Sequence, residues 1–238
     1  MESHIRQQPL STCESCKVHE TGLLCDLTPA AAKELESIKF SSGYPAGSIL
    51  FFENEAPRGI FLVCSGKVKL SVSSKGGRTL ILQIARPGEM IGLSASISGI
   101  PYEVSAETLH PSQIAFIRRD DFIRFINRFP EVYQAVIRQL NSQYTHACEQ
   151  LRTVGLSTTA HEKLARLFLH WSSEEKQTSE GSQIKVPLTH EQIAECVGST
   201  RETVTRTLTE FRNRHLVMLK GTTVMIPNRS ALQAISGD

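Results

Sequence analysis

The chain has 238 residues, of which 40% are hydrophobic and 21% charged, and its formal net charge is +2. The length allows two domains with a real core, and the low charge excludes a bulk polycation, so any nucleic-acid contact needs a local basic patch. No apolar run could span a membrane, and the first residues, Met1 to His4, do not look like a signal peptide. We expect a cytoplasmic protein whose six cysteines are not structural disulfides.

Three cysteines lie close together near the start of the chain. Cys13, Cys16 and Cys25 form a C-x2-C-x8-C array, which in a reducing compartment indicates metal or redox chemistry. The first two thiolates can bind one metal centre from a single turn of chain, and the third closes the site. Soft sulfur ligands suit zinc or an iron–sulfur cluster. Cys148 and Cys196 have apolar neighbours at helical spacing and are expected to be buried small residues.

A short amphipathic helix is predicted from Leu27 to Ile38, with Thr28 as cap and Pro29 as its first residue. From Phe40 to Arg118 the chain reads as short strands broken by glycines, including Gly66 and Gly88. Strands separated by frequent turn signals predict a β-sandwich or barrel. The strand segments are SILFFENE, GIFLVCSGKVKLSV, TLILQIARPGEMIGL, YEVSAETL and SQIAFIRR.

Two helices follow, a short one from Asp120 to Phe129 and a long one from about Pro130 to Val154. Two apolar faces on the long helix require two partners, which can be its own domain and a second copy of the chain. Polar or small residues within the stripe indicate a seam that is not maximally tight. The stripe comprises Val132, Val136, Leu140, Gln143, Ala147, Leu151 and Val154, with Ile137, Tyr144 and Cys148 beside it.

The remaining segments outline a second domain after a hinge at Gly155. A helix, AHEKLARLFLHW, is capped by Thr158 or Thr159, and Ser172–Gln183 is predicted to be a loop because it is polar and lacks periodicity. IKVPLT is a short strand. LVMLKGTTVMIPN predicts a two-stranded hairpin turning at Lys220-Gly221, and a short helix or tail covers Ala231 to Ile235.

The stretch from Leu188 to Lys220 reads as two helices joined by a sharp turn. Thr189 can cap the first helix, Gly198 supplies the turn, and Ser199 or Thr200 caps the second helix. Val204, Leu208 and Phe211 would bury one face of that second helix. The opposite face carries Arg201, Glu202, Thr205, Arg206 and Arg212.

This arrangement is the helix-turn-helix plan, in which the second helix lies in the DNA major groove. Arg can bind guanine O6 and N7, Glu can accept from cytosine N4, and Thr can contact a thymine methyl. An ordinary helical hairpin with a solvated charged face is the alternative. Gly198 and the ordered Arg-Glu-x-x-x-Arg favour DNA recognition.

The segment GSTRETVTRTL resembles the recognition helix of the cyclic-AMP receptor protein/FNR family of bacterial transcription regulators. The order of segments along nearly the whole chain is similar to that family as well. The resemblance implies an α+β fold, with a double-stranded β-roll like the cyclic-nucleotide-binding fold, a dimerisation helix and a winged helix-turn-helix. The implied parts are an arm at 1–27, the β-roll at 28–129, the dimerisation helix at 130–156 and the DNA-binding domain at 157–238.

The resemblance also implies how DNA is read. Arg201, Glu202 and Arg206 stand where the cyclic-AMP receptor type has its base-reading residues, whereas the FNR type has Glu-x-x-Ser-Arg without the leading Arg. The DNA half-site should be closer to TGTGA than to TTGAT. The base pair that Thr205 contacts is the least defined position of that half-site. Ser199 and Thr200 complete the expected DNA-binding set. The implied partners are double-stranded DNA with a palindromic operator, a second copy of the chain, and RNA polymerase if the protein is an activator.

For the cysteine array, the resemblance implies an FNR-like [4Fe–4S] cluster that senses oxygen or redox state. Such a cluster needs a fourth ligand. The internal cysteine of the FNR type would fall near Ala115, where this chain has none; Cys64 is nearest by region, and Asp26 or His19 could also serve. A structural zinc on Cys13, Cys16 and Cys25 stays open.

A cyclic nucleotide is not the expected effector. Family members that bind one hold the phosphate with an Arg and a nearby Gly-Glu pair. Here the pair has become Gly92-Leu93, Ile100 or Pro101 falls near the expected Arg, and no Lys or Arg lies between Gly88 and Pro111. Burying a phosphate without a cationic partner is costly. A haem sensor stays open as a further alternative, although no spacing singles out a ligand pair among His19, His110 and His146.

Two other classes of protein stay open. One is a regulator of the same family that responds to a nucleotide or another small effector, with structural zinc or no metal. The other is a thiol redox enzyme using Cys13 and Cys16, but that motif usually opens a helix after a strand in a βαβ unit, and this arm is polar with no strand before it. No Ser/His/Asp set, P-loop or H-E-x-x-H motif is present, so we do not expect an enzyme.

Overall fold

The computed structural model describes residues 27–173, 177–178, 181–185, 188–220 and 223–237. The array of Cys13, Cys16 and Cys25 lies outside the described residues. Contacts divide the described chain into two compact units. One comprises the residues up to Leu70 together with Gln83–Tyr144, and the other comprises Ser71–Leu82 and the residues from Thr145 onward.

The first helix begins where its sequence signals place it. Helix α1 spans Pro29–Ile38, and the Thr28 side chain accepts a hydrogen bond from the Ala31 amide. Proline in the first turn loses no helical hydrogen bond, since that amide would have no partner within the helix. Ala31 and Leu35 are the buried residues of α1, so the helix packs through one face.

Eight short strands follow and form two four-stranded sheets, with strand orders β1-β8-β3-β6 and β2-β7-β4-β5. The predicted sandwich of short strands, and the β-roll that the family resemblance implies, are confirmed. The strands are β1 (Lys39–Tyr44), β2 (Ile49–Phe51), β3 (Gly59–Ser65), β4 (Val68–Ser73), β5 (Thr79–Ala85), β6 (Met90–Ile91), β7 (Ser105–Thr108) and β8 (Ser112–Arg118).

Strands β3 and β8 of the first of these sheets are largely buried on both faces, which explains their continuous apolar runs. Phe61 and Ile114 belong to a core between the two sheets, where Phe51 stacks on Tyr102 with ring centroids 3.9 Å apart. Their strand neighbours point to the opposite face because side chains alternate along a strand. There a second core, called here the helix-side core, contains Leu35, Ile60, Leu62, Ala115, Ile117, Phe122, Phe125, Val132 and Val136.

A helix that the sequence did not predict lies within the β-roll. Helix α2 spans Leu93–Ser98 and is flanked by Gly92 and Gly99, both in the left-handed region with φ of 73° and 74°. A Cβ on Gly92 would lie 2.8 Å from the Tyr102 ring. The two glycines therefore allow a helical turn where the strand pattern ends.

Gly66 turns the chain between β3 and β4 with φ of 89°, and a Cβ there would lie 2.0 Å from Ser112 Oγ. We expect Gly66→Ala to destabilise the protein by about 2–4 kcal/mol, because the substitution adds backbone strain to a steric clash. Urea denaturation measures the effect. Gly76→Ala is the matched control, since the nearest atom to its Cβ would be 3.9 Å away, and equal loss in both variants would contradict the argument.

Two further helices complete the first unit, and the second of them runs on beyond it. Helix α3 spans Arg119–Arg128 and α4 spans Val132–Leu151, with a π-helical segment at Arg152–Leu156. The predicted stripe on α4 divides into two parts. Val132 and Val136 are buried in the helix-side core, whereas Leu151 is 72% exposed.

Two glutamines of α4 pair with the backbone of β6. Gln139 Oε1 accepts from the Met90 amide at 3.3 Å, and Gln143 Nε2 donates to the Met90 carbonyl at 3.1 Å. From its place in the stripe, Gln143 was expected to loosen a dimer seam. Instead its amide satisfies a backbone carbonyl of its own domain.

Beyond the π-helical segment, the described part of the second unit contains four helices and a four-stranded sheet in the order β11-β12-β10-β9. Part of the predicted loop at Ser172–Gln183 is strand, because β10 pairs with β12 and β9 pairs with β10. The hairpin β11–β12 and the C-terminal helix occur as predicted. The elements are α5 (Ala160–Ser173), β9 (Gln177–Thr178), β10 (Gly181–Lys185), α6 (His190–Val197), α7 (Arg201–Asn213), β11 (Met218–Lys220), β12 (Thr223–Ile226) and α8 (Arg229–Ser236). None of the helices in the described residues combines the length and the hydrophobicity of a membrane-spanning segment.

Candidate nucleic-acid interface

Helix α6 is fixed at both ends by its own sequence. At its start, Thr189 and Gln192 form a reciprocal capping box, in which each side chain accepts from the other's backbone amide. At its end, Gly198 adopts the left-handed conformation with φ of 59°. A capping box and a glycine C-cap satisfy terminal backbone groups that otherwise lack partners, so the turn between the helices is well defined.

Gln150, near the end of α4, also holds the C-terminal end of α6. Its Nε2 donates to the Ile81 carbonyl at 3.0 Å and to the Cys196 carbonyl at 2.5 Å. A side-chain amide has two N–H donors, so one glutamine can satisfy both carbonyls. Cys196 itself is buried, as predicted, and Cys148 is half-buried.

Helix α7 buries the face that the sequence predicted. Thr200 caps the helix by accepting from the Thr203 amide at 3.3 Å, so the cap left open between Ser199 and Thr200 is Thr200. Val204, Leu208 and Phe211 are buried. These contacts fix which side of α7 faces solvent.

The exposed side of α7 brings together the predicted DNA-contacting residues. Arg201, Glu202, Thr205 and Arg206 are all exposed. Within the part of the chain that the structure describes, Arg201, Glu202 and Arg206 form no ion pair. Their charged groups are therefore available to a partner, and helical spacing aligns Arg201 with Thr205 and Glu202 with Arg206.

The charge around α7 is locally basic, although the whole chain is nearly neutral. Between Ser199 and Lys220 there are five basic residues and two acidic ones. One of the two carboxylates, Glu210, is paired with His161 of α5, whose Nε2 lies 2.5 Å from Glu210 Oε2. This pairing leaves Glu202 as the acidic group among the arginines at the start of the helix.

One residue of this surface was not predicted from the sequence. His190, the first residue of α6, places Nδ1 at 2.8 Å from Thr205 Oγ1. The sequence signal that pointed to His190 was its position directly after Thr189, the cap of α6. A histidine there can reach the recognition face only if the turn holds the two helices together, which the sequence alone does not show.

Two side chains of the β-roll form hydrogen bonds in or to the stretch from Gly88 to Pro111, where the family resemblance places the phosphate site. Tyr102 is fully buried, and its hydroxyl donates to the Gly59 carbonyl at 2.7 Å. Arg119, outside the stretch from Gly88 to Pro111, donates from Nε to the Ser96 carbonyl at 2.7 Å. This guanidinium is thus already bound to a backbone carbonyl of α2.

The structure places Cys64, the candidate fourth ligand, on β3. It is half-buried and packs against the helix-side core, as does Leu27, which follows Cys25 by two residues. Leu62 of the same strand is the register partner of Ala115 on β8. Among the described residues there is no group of three or more His, Cys, Asp or Glu side chains that could hold a metal ion.

Comparison with known families identifies both halves of the chain. A model of the cyclic nucleotide-binding domain matches residues 42–129, and a model of the Crp-like helix-turn-helix domain matches residues 162–235. The chain is a CRP/FNR-family transcription regulator. The DNA-binding assignment of the second unit follows from this membership.

Relatives of this CRP/FNR-family regulator cover most of its length. The CRP-like cAMP-activated global transcriptional regulator of Mycobacterium tuberculosis is 29% identical over 205 residues, covering 85% of this chain and 89% of that protein. The transcriptional activator protein anr of Pseudomonas aeruginosa is 24% identical over 235 residues, covering 98% and 96%. The structure of a CooA mutant from Carboxydothermus hydrogenoformans superposes with a TM-score of 0.75 at 18% identity, covering 91% and 96%, and shows the shared fold.

Proposed function

We propose that this CRP/FNR-family regulator is a homodimer that binds a palindromic operator with TGTGA-like half-sites through α7. Arg201, Glu202 and Arg206 carry the proposal, because they are exposed and form no ion pair with another described residue. In the major groove an arginine can bind guanine through two hydrogen bonds, and a glutamate can accept from cytosine. Ser199, Thr200 and Thr205 complete the surface that meets the DNA.

The exposed face of α4 supports the dimer. Ile137, Tyr144 and Leu151 are 62%, 70% and 72% exposed and recur every seven residues, so they lie along one side of the helix. An exposed apolar row of this kind indicates a surface that binds another protein surface. A second copy of α4 supplies an identical row across a two-fold axis, and a palindromic operator has the same symmetry.

We further infer that the cysteine arm holds an iron–sulfur cluster and senses oxygen or redox state. Three thiols at Cys13, Cys16 and Cys25 suit this group, and the match to anr covers 98% of the chain, which includes the arm. When bound, the group would supply a redox-active centre. Cys64 is the proposed fourth ligand, because it lies on the strand beside Ala115 and packs against the same core.

The helix-side core connects this region to the dimer helix. Leu27 and Cys64 pack against a cluster that also contains Val132 and Val136 of α4. A change in how the arm is held at Leu27 therefore reaches residues on the buried face of α4. Since closely packed cores change between discrete arrangements, such a shift can alter the opposite, dimer-forming face.

Elemental analysis of protein purified without oxygen tests the cluster. We expect iron and acid-labile sulfide in equal amounts, with both falling severalfold in Cys64→Ala because a four-ligand cluster has lost one ligand. Cys148→Ala is the control and should retain both. Adding Ala115→Cys to Cys64→Ala should restore the iron, since the thiol returns on the neighbouring strand. Zinc without sulfide would show a structural metal, and unchanged iron in Cys64→Ala would exclude Cys64.

The alternative is that a nucleotide or other small effector controls the regulator, with structural zinc or no metal. The match to the cyclic nucleotide-binding domain favours it. The lack of any Lys or Arg between Gly88 and Pro111 argues against a nucleotide phosphate at this site, because a buried phosphate needs a cationic partner. A rise in melting temperature with cyclic AMP or cyclic GMP would favour this alternative.

A further inference from the structure

Thr205 lies on the exposed face of α7, one turn after Arg201. Its hydroxyl donates a hydrogen bond to the backbone carbonyl of Arg201 at 2.8 Å. A hydroxyl group has one proton and two lone pairs. Its donor capacity is therefore used inside α7, and Thr205 cannot donate to thymine O4 or guanine O6.

His190, on the neighbouring helix α6, forms a hydrogen bond with the oxygen of the same hydroxyl. Its Nδ1 lies 2.8 Å from Thr205 Oγ1. Because the hydrogen bond from Thr205 to the Arg201 carbonyl uses the hydroxyl proton, we assign to His190 the tautomer in which Nδ1 carries the hydrogen and donates to Oγ1. The capping box at Thr189 fixes the backbone from which His190 reaches across.

These two bonds decide which part of Thr205 is available to a base. Threonine in a helix divides between two χ1 rotamers, and the bond from His190 selects the rotamer observed. With its proton engaged and its oxygen held, Thr205 presents its γ-methyl for contact. In the major groove the matching apolar group is the C5-methyl of thymine.

We infer that His190 is a positioning residue, which holds Thr205 so that its methyl group reads one thymine of each half-site. The inference rests on the proposed function, in which α7 lies in the major groove. This inference assigns a hydrophobic contact to the base pair of the half-site that Thr205 reads, which the family resemblance leaves least defined.

Replacing thymine by deoxyuridine tests the contact, because deoxyuridine lacks only the C5-methyl. The probes are synthetic duplexes with two inverted TGTGA or TTGAT half-sites, and the tighter-bound duplex is substituted at each thymine in turn. For the wild-type protein, we expect deoxyuridine at one position to weaken binding about fourfold per half-site, which is roughly the value of burying one methyl group. Other thymines should show little change.

Matched variants separate the methyl from the hydroxyl. Thr205→Ser keeps the hydroxyl and removes the methyl, so its affinities for thymine and deoxyuridine at that position should be equal. Thr205→Val keeps the methyl, so the ratio of its dissociation constants for the deoxyuridine and thymine duplexes should stay at about four. Circular dichroism of each variant checks that the fold is unchanged.

Variants of His190 test the positioning role. His190→Ala should lower the ratio towards one, and His190→Asn should restore it, because an Asn amide can donate from about the place of Nδ1. In a Thr205→Val background, His190→Ala should leave the ratio unchanged, since about nine in ten helical valines adopt one rotamer. A merely structural role for His190 would weaken binding to all duplexes equally and would not change the ratio.

The outcomes distinguish this inference from the proposed function. Preference for the half-site duplex over a scrambled one, with a ratio of one at every thymine, overturns the methyl contact and leaves operator binding intact. A wild-type ratio retained in His190→Ala overturns the role of His190. Equal binding to half-site and scrambled duplexes overturns the operator proposal itself, and with it this inference.

Discussion

Glutamate at Leu151 and Tyr144 should separate the proposed dimer into monomers and weaken binding to an inverted-repeat operator by about 10²–10⁴-fold. Both side chains are largely exposed on α4, so the substitutions do not disturb the core of one chain. In a dimer they would bring like charges together across the two-fold axis. The large loss is expected because a monomer forfeits the effective concentration that linking two binding domains provides.

Light scattering after gel filtration measures the oligomeric state, and fluorescence anisotropy measures binding to duplexes with one or two half-sites. The control is Ser142→Glu, which introduces a glutamate at an exposed site on a different side of α4. Binding to a single half-site should be similar in all the proteins. A double variant that stays dimeric and binds the full operator normally would place the interface elsewhere.

Substituting Arg201 should remove discrimination at one base pair. Arg201→Ala is expected to weaken operator binding by about 1–3 kcal/mol, roughly 5- to 150-fold, because a two-bond contact from arginine to guanine is lost. Its guanidinium is exposed and forms no ion pair with another described residue, so the fold should be unaffected. The loss should be confined to duplexes that carry guanine at that position.

A panel of operators mutated one base pair at a time measures this effect at a fixed salt concentration, since salt alone changes affinity. The variant should bind all four base pairs similarly at one position and remain selective at the others. Arg118→Ala, which removes an exposed arginine at the end of β8, should bind like the wild type. If Arg201→Ala kept the full pattern of selectivity, α7 would not read DNA through this residue.

Local signals in the sequence predicted much of the fold. In the caps at Thr28, Thr189 and Thr200, the acceptor hydroxyl and the donor amide lie three residues apart. A short stretch of sequence therefore contains both partners of each hydrogen bond. The buried positions of α7 follow from helical spacing for the same reason. Such features require no knowledge of distant parts of the chain.

Features that depend on distant partners were not predictable. Helix α2 begins after Gly92, whose close contact is with Tyr102, and the strand at Gly181–Lys185 depends on pairing with β12. The polar Gln143 gave no sign that its partner is the Met90 carbonyl. His190 is the clearest case in the candidate site, because its reach to Thr205 depends on how two helices are packed.

The π-helical segment at Arg152–Leu156 has a consequence for how rotation passes along the backbone. Its wider turns, with hydrogen bonds from residue i to i+5, interrupt the regular ladder of α4. Torsional stiffness should therefore fall just after Gln150, the residue that holds the end of α6. A twist that reaches the end of α4 would therefore be absorbed partly in these five residues before it reaches α5.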